Sequence, residues 1–196
     1  MSEARRIMVM GIGNPLVRDE GIGPAIVEQL LSRFEFPDNV QITDCGTMGM
    51  TILNHFRECD HMIVVDAVDG TDEDPGTVML LTPDEIAPNQ VLHSLHDMRF
   101  IDVLQAAELL GSAPTAVVVG IQVADIGGLH IGLTPPVEAA IPAAIDAVLE
   151  LLAEQGVVPV ARGEDEDDSA AAIRSIRSMN SPSIDFEGSR QITRKD

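Results

Sequence analysis

No tryptophan and no tyrosine occur in the 196 residues, and five phenylalanines are the only aromatic rings. That removes the stacking platforms on which single-stranded nucleic acid is commonly held. Positive charge is nearly as scarce, with 12 Lys and Arg against 32 Asp and Glu, a formal net charge of −20. Nucleic acid and anionic lipid would both be repelled, so neither is expected as a partner, whereas a metal ion or a basic protein suits such a body. The two cysteines, Cys45 and Cys59, are too few for a disulfide framework and form no Cys-x-x-Cys motif. A reduced, cytoplasmic setting is the expectation. Long apolar runs are missing as well: Ile7 to Met10 is too short for a signal peptide, and nothing approaches the roughly 20 residues needed to span a bilayer.

What is present is an alternation of short apolar runs and amphipathic segments. Ile7 to Met10 reads as a buried first strand, ended by Gly11 and Gly13. From Gly21, Ile22, Ala25, Ile26, Leu30 and Phe34 recur at helical spacing until Pro37. Val40 to Thr43 reads as a second strand stopping at Asp44, with a short helix following through Phe56. Met62 to Val65 is a third strand stopping at Asp66, and Val78 to Leu81 a fourth, joined to the third too closely for a helical crossover and so expected antiparallel to it. Pro83 to Leu92 reads as irregular. Ser94 and Asp97 approximate a capping box for a helix with Phe100, Ile101, Leu104, Ala107 and Leu110 on its apolar stripe, placing His96 in its first turn. Ala116 to Val123 is a fifth strand, and Thr134-Pro135 opens a long helix stopped by Gly156. The pattern predicts a three-layer α/β sandwich over residues 1–160, with a twisted, mostly parallel five-stranded sheet and helices on both faces. The remaining residues, 161–196, begin with an acidic run and are expected to be a disordered polar tail; they hold six of the 12 bases, so the acidity belongs to the body.

In such a sheet, ligands bind beyond the carboxyl ends of the strands. The residues there are Asp19 and Glu20 after strand one, Asp44 after strand two and Asp66 after strand three. Four carboxylates on one edge repel one another unless a cation neutralises them or some stay protonated. A bound metal is the economical answer. His96, at a helix N-terminus that disfavours imidazolium, would offer a neutral nitrogen, and Glu20, Asp66 and His96 together would suit a borderline ion such as zinc or nickel. Each residue alone has an ordinary alternative: Asp44 as a helix cap, Glu20 as a solvated charge, His96 as a capping or surface histidine with His93 its rival. His55 and His61 read as surface or capping residues, and Cys45 as a small buried residue. Gly11-Ile12-Gly13 begins like a dinucleotide fingerprint, but Leu16 stands where the third glycine belongs and acids follow where phosphates would lie, so no nucleotide is expected.

The joint pattern is more specific. Gly11-Ile12-Gly13-Asn14-Pro15-Leu16 with Asp19-Glu20-Gly21-Ile22-Gly23, then Asp44-Cys45-Gly46-Thr47, Val65-Asp66-Ala67, His96 followed by Asp102-Val103-Leu104, and Gly132-Leu133-Thr134-Pro135 resembles the [NiFe]-hydrogenase maturation endopeptidases. The resemblance spans about Arg6 to Val160; Cys45 stands where the family commonly has a second glycine. It implies a cytoplasmic protease that removes the C-terminal extension of a hydrogenase large-subunit precursor after nickel insertion. It further implies that the metal is carried in by the substrate and met by Glu20, Asp66 and His96. Whether the metal or a carboxylate, as in an aspartyl protease, activates water is left open among Asp44, Glu20 and Asp66. A non-cleaving metal-dependent chaperone or binding module for the precursor would show the same acidic edge.

Overall fold

The computed structural model describes residues 4–47, 52–86, 100–109, 111 and 113–162. His93, His96, the Ser94–Asp97 cap and the tail from residue 163 onward lie outside the described residues.

Strand β1 (Ile7–Ile12) leads through a 3-10 turn (Arg18–Gly21) into helix α1 (Ile22–Arg33). Then follow β2 (Phe34–Glu35), β3 (Val40–Gly46), α2 (Ile52–Phe56), β4 (His61–Val68), β5 (Val78–Leu81) and the single turn α3 (Pro83–Ile86). Helix α4 (Phe100–Leu109), β6 (Thr115–Gln122), α5 (Pro135–Glu154) and β7 (Val160–Ala161) complete the chain.

Five strands form one sheet in the order β3-β1-β4-β6-β5. All neighbours are parallel except β5, which runs antiparallel to β6. The expected antiparallel strand is therefore real, but its partner is β6 rather than β4. The reason is that β6 occupies the side of β4 along its whole length, from His61 opposite Thr115 to Val68 opposite Gln122, which leaves β5 the outer edge.

Alternation along the strands divides the core in two. Ile7, Val9, Ile63, Val65, Val119 and Ile121 point to one face, covered by α1 and α5; Met8, Met10, Met62, Val64 and Val118 point to the other, covered by α2 and α4. Both faces of β1 and β4 are thus buried, which is why those strands read as unbroken apolar runs. The result is the three-layer α/β sandwich that the alternation of runs implies.

Several boundaries differ from the sequence reading. Asp44 and Asp66 lie inside β3 and β4 rather than after them, because pairing continues to Gly46 on one side and to Val68 on the other. Phe34 leaves the helix and opens β2, which pairs antiparallel with β7; Arg162 then donates from Nε to the Phe34 carbonyl at 3.1 Å. Pro83–Ile86 is helical. His61 is buried at the start of β4, its Nδ1 2.7 Å from Thr115 Oγ1, so it is not a surface residue.

Candidate active site

After β1 the chain enters β3 on one side and returns to β4 on the other, so the direction of winding reverses between β1 and β4. Ligand sites form at such a reversal, beyond the carboxyl ends of the strands. Glu20 and Asp66 flank it, one on the 3-10 turn following β1 and the other near the end of β4.

Close packing puts Glu20 there. A Cβ added at Gly11 would stand 2.6 Å from the Gly23 carbonyl oxygen and 2.7 Å from a Val27 methyl, so only glycine lets α1 lie this close to β1. At Gly13, with φ +141, a Cβ would collide with the Glu20 carbonyl, whose oxygen accepts from the Asn14 amide at 3.1 Å. The glycines of this segment therefore seat the acidic turn against the sheet. Glu20 is only 2% exposed and Asp66 4%.

Two buried carboxyls at close quarters cannot both ionise freely. Burial pushes Asp66 up from the ordinary aspartate range to about 8; the amide of Ala67, donating to Oδ1 at 2.8 Å, opposes the rise, and the charge of Glu20 adds to it. This is the chemistry of a site that gains from a cation: a divalent ion would favour the ionised form that burial disfavours. Carboxylate oxygens are donors of a kind that a borderline divalent metal accepts. Among the described residues, no third His, Cys, Asp or Glu joins Glu20 and Asp66. His96, the expected third ligand, lies outside them.

Asp19, beside Glu20, has another task. Its Oδ2 accepts from the amides of Ala124 and Asp125 and from the Thr134 hydroxyl, each at 2.9 Å, and its Oδ1 from the Thr134 amide at 2.7 Å. Fully buried and saturated with donors, this carboxylate ties the acidic turn to the segment between β6 and α5. Thr134 does hold the N-cap position of α5, but its hydroxyl serves Asp19 and not the helix. Arg18 adds two more ties: its amide donates to the His130 carbonyl at 2.7 Å and its Nη1 lies 2.8 Å from Asp125 Oδ2. Arg18 takes φ +41, the one described non-glycine residue with positive φ, so the turn is held in a conformation it would not choose alone. These ties were missed in the sequence because their partners are more than a hundred residues away; the Asp19 and Thr134-Pro135 motifs were the only signal.

Asp44 is not brought to the pair. It lies on β3, across β1 from β4, is exposed, and accepts the Gly46 amide on Oδ1 at 2.8 Å. Its neighbour Cys45 is buried, with its thiol pushed up to about 12 by burial and by the Asp44 charge, an inert packing group rather than a ready ligand.

Fold and topology define a doubly wound α/β protein with a buried acid pair at the carboxyl edge of its sheet. Comparison with known proteins makes this particular. A family model described as hydrogenase maturation protease matches residues 24–151. The chain is 42% identical over 159 residues to the hydrogenase expression/formation protein HupD of Bradyrhizobium diazoefficiens, covering 80% of this chain and 82% of that one. It is 40% identical over 160 residues to the hydrogenase 2 maturation protease of Escherichia coli K12, covering 80% and 96%. The solved structure of the hydrogenase maturating endopeptidase HybD from E. coli matches with a TM-score of 0.72 at 40% identity, over 80% of this chain and 98% of that one. The chain belongs to the hydrogenase maturation protease family and is an endopeptidase. No helix among the described residues is long and apolar enough to cross a membrane.

Proposed function

We propose that this endopeptidase removes the C-terminal extension of a [NiFe]-hydrogenase large-subunit precursor once nickel has been inserted, working in the cytoplasm, and that Glu20 and Asp66, joined by His96, meet the nickel that the precursor carries. The observation that carries this reading is the buried pair of Glu20 and Asp66 at the winding reversal of the sheet. Buried acids facing each other gain most from a ligand that brings its own positive charge. A substrate without metal offers the pair nothing and is not held; a loaded one is held with its chain across the edge.

Hydrolysis needs a water activated against the scissile carbonyl. Asp44, apart from the pair on β3 but exposed at the same carboxyl edge, would accept a proton from water where the substrate chain crosses that edge, while Glu20 and Asp66 would orient the substrate through its metal. When bound, the metal would supply Lewis acidity beside the peptide bond. The deciding experiment is to incubate the purified protein with precursor prepared with and without nickel and to weigh the products. Loss of the C-terminal extension from the nickel-loaded precursor alone is expected. Equal cleavage of both would refute nickel recognition, and an unchanged mass with a retained complex would mark a binding module instead.

A further inference from the structure

Gly128 and Gly132, both at positive φ, bracket Leu129, His130 and Ile131. His130 forms a parallel bridge with Val17: its amide donates to the Leu16 carbonyl at 2.8 Å, and its carbonyl accepts from Arg18 at 2.7 Å. In a bridge of this kind one residue spends both its main-chain groups on the partner, and the groups of the residues on either side point the opposite way. Those of Leu129 and Ile131 find no main-chain partner among the described residues.

The side chains match this open edge. Leu129 is 84% exposed, Ile131 72% and Leu16 52%. An isolated exposed aliphatic residue means nothing. Here three stand on two segments braced to each other by the Val17–His130 bridge and the Arg18–Asp125 ion pair, and Arg18 is two residues from Glu20. The strip is therefore tied to the turn that carries Glu20 through Arg18 and Asp19. A braced segment whose main-chain edge meets no partner among the described residues, with aliphatic side chains beside it, is what strand addition by an extended peptide requires. The charge of the chain narrows the peptide, since a chain with a net charge of −20 repels an acidic one.

We infer that Leu129 to Ile131 is a docking edge onto which the stretch of the large-subunit precursor flanking the cleavage point adds as an extended, apolar, non-acidic strand. This rests on the reading of the protein as the protease of that precursor and specifies how it grips the chain. Main-chain bonding would hold the strand whatever its exact sequence, while Leu16, Leu129 and Ile131 would select aliphatic side chains at alternate positions.

The test compares wild-type protein with the double variant Leu129→Ser/Ile131→Ser on nickel-loaded precursor, reading KM and kcat separately, with hydrogen exchange of the strip measured with and without precursor. Both side chains are exposed, so the double variant is expected to melt with the wild type. Expected is a rise in KM of about tenfold or more with kcat retained, the loss of two aliphatic contacts made equally in ground and transition states. The amides of Leu129 and Ile131 should gain protection when precursor is added. An unchanged KM, or amides that stay unprotected while wild-type protein cleaves, overturns the docking edge and leaves the protease reading intact. Absence of cleavage by the wild type overturns that reading itself. A wild-type dimer in sedimentation that the double variant abolishes would assign the strip to a second copy of this chain and also overturn the proposal.

Discussion

Asp60 immediately precedes β4 and Asp66 lies within it, six residues on toward its carboxyl end, and their carboxyl groups are held in opposite states. At the amino end, Asp60 is exposed and grips Arg6 three times, through the guanidinium at 2.8 and 3.3 Å and the amide at 2.9 Å; those bonds hold its carboxyl down at about 2. At the carboxyl end Asp66 is buried, faces Glu20, and is pushed up to about 8. One end of the sheet has its charge neutralised by its own chain. The other buries two carboxyl groups whose charges oppose each other, which is a cost to folding and an asset for binding. Perturbed groups and backbone strain gather where function lies, and two aspartates set at opposite ends of the same stretch make the contrast a matter of position and not of residue type.

The contrast breaks most sharply at the acid pair. Glu20→Gln and Asp66→Asn should each lower processing of nickel-loaded precursor about a hundredfold or more while leaving circular dichroism unchanged, since under the proposed function each would lose a metal contact, and that exceeds the usual effect of losing its supporting shell. Normal processing by either variant would remove that residue from the site. Asp19→Ala should act by a different route. It strands the buried amide and hydroxyl of Thr134 and the amides of Ala124 and Asp125, a loss of about 3–5 kcal/mol of stability in urea unfolding. If Asp19→Ala instead unfolds with the wild type and only loses activity, Asp19 belongs with Glu20 and not with the scaffold.

How far the sequence could anticipate this follows from the range of the interactions. Strands β1 and β4 were legible because burial on both faces leaves nothing but apolar residues. Helices α1 and α5 were legible because one face of each is buried and periodic. The β2–β7 ribbon was not, since two residues pairing across more than a hundred others carry no periodic signal. Nor was the partnership of β5 with β6, which depends on which strand wins the place beside β4. At the site, the residue types at the strand ends were readable, and so was the resemblance they carry. Their division of labour was not: Asp19 and Glu20 are adjacent in sequence, yet the fold gives one four donors and brings the charge of the other to bear on Asp66. That Asp44 lies across β1 from Asp66 was not legible either, since it depends on the order of strands.

The smaller effects are in pH. Asp66 has its folded value raised to about 8 from an ordinary 3.8, so between those limits the folded protein holds a proton that the unfolded chain has lost. Its contribution to stability is fully present below about pH 4 and falls away as pH rises toward 8. Metal-free wild-type protein should therefore lose ground to Asp66→Asn in thermal melts as pH is raised from 5 to 8, and a constant gap would mean the carboxyl is not held protonated. Asp60 runs the other way: with a folded value near 2, its contribution is present above about 3.8 and is lost as pH falls toward 2. Asp60→Asn should flatten the acid limb and nothing else. Because Asp60 and Arg6 are both exposed and screened by solvent, this shift is expected to be the smallest of the set, and processing should be untouched. A loss of processing in Asp60→Asn would mean that the amino end of the sheet is coupled to the site through β4, and the separation of the two ends would fail.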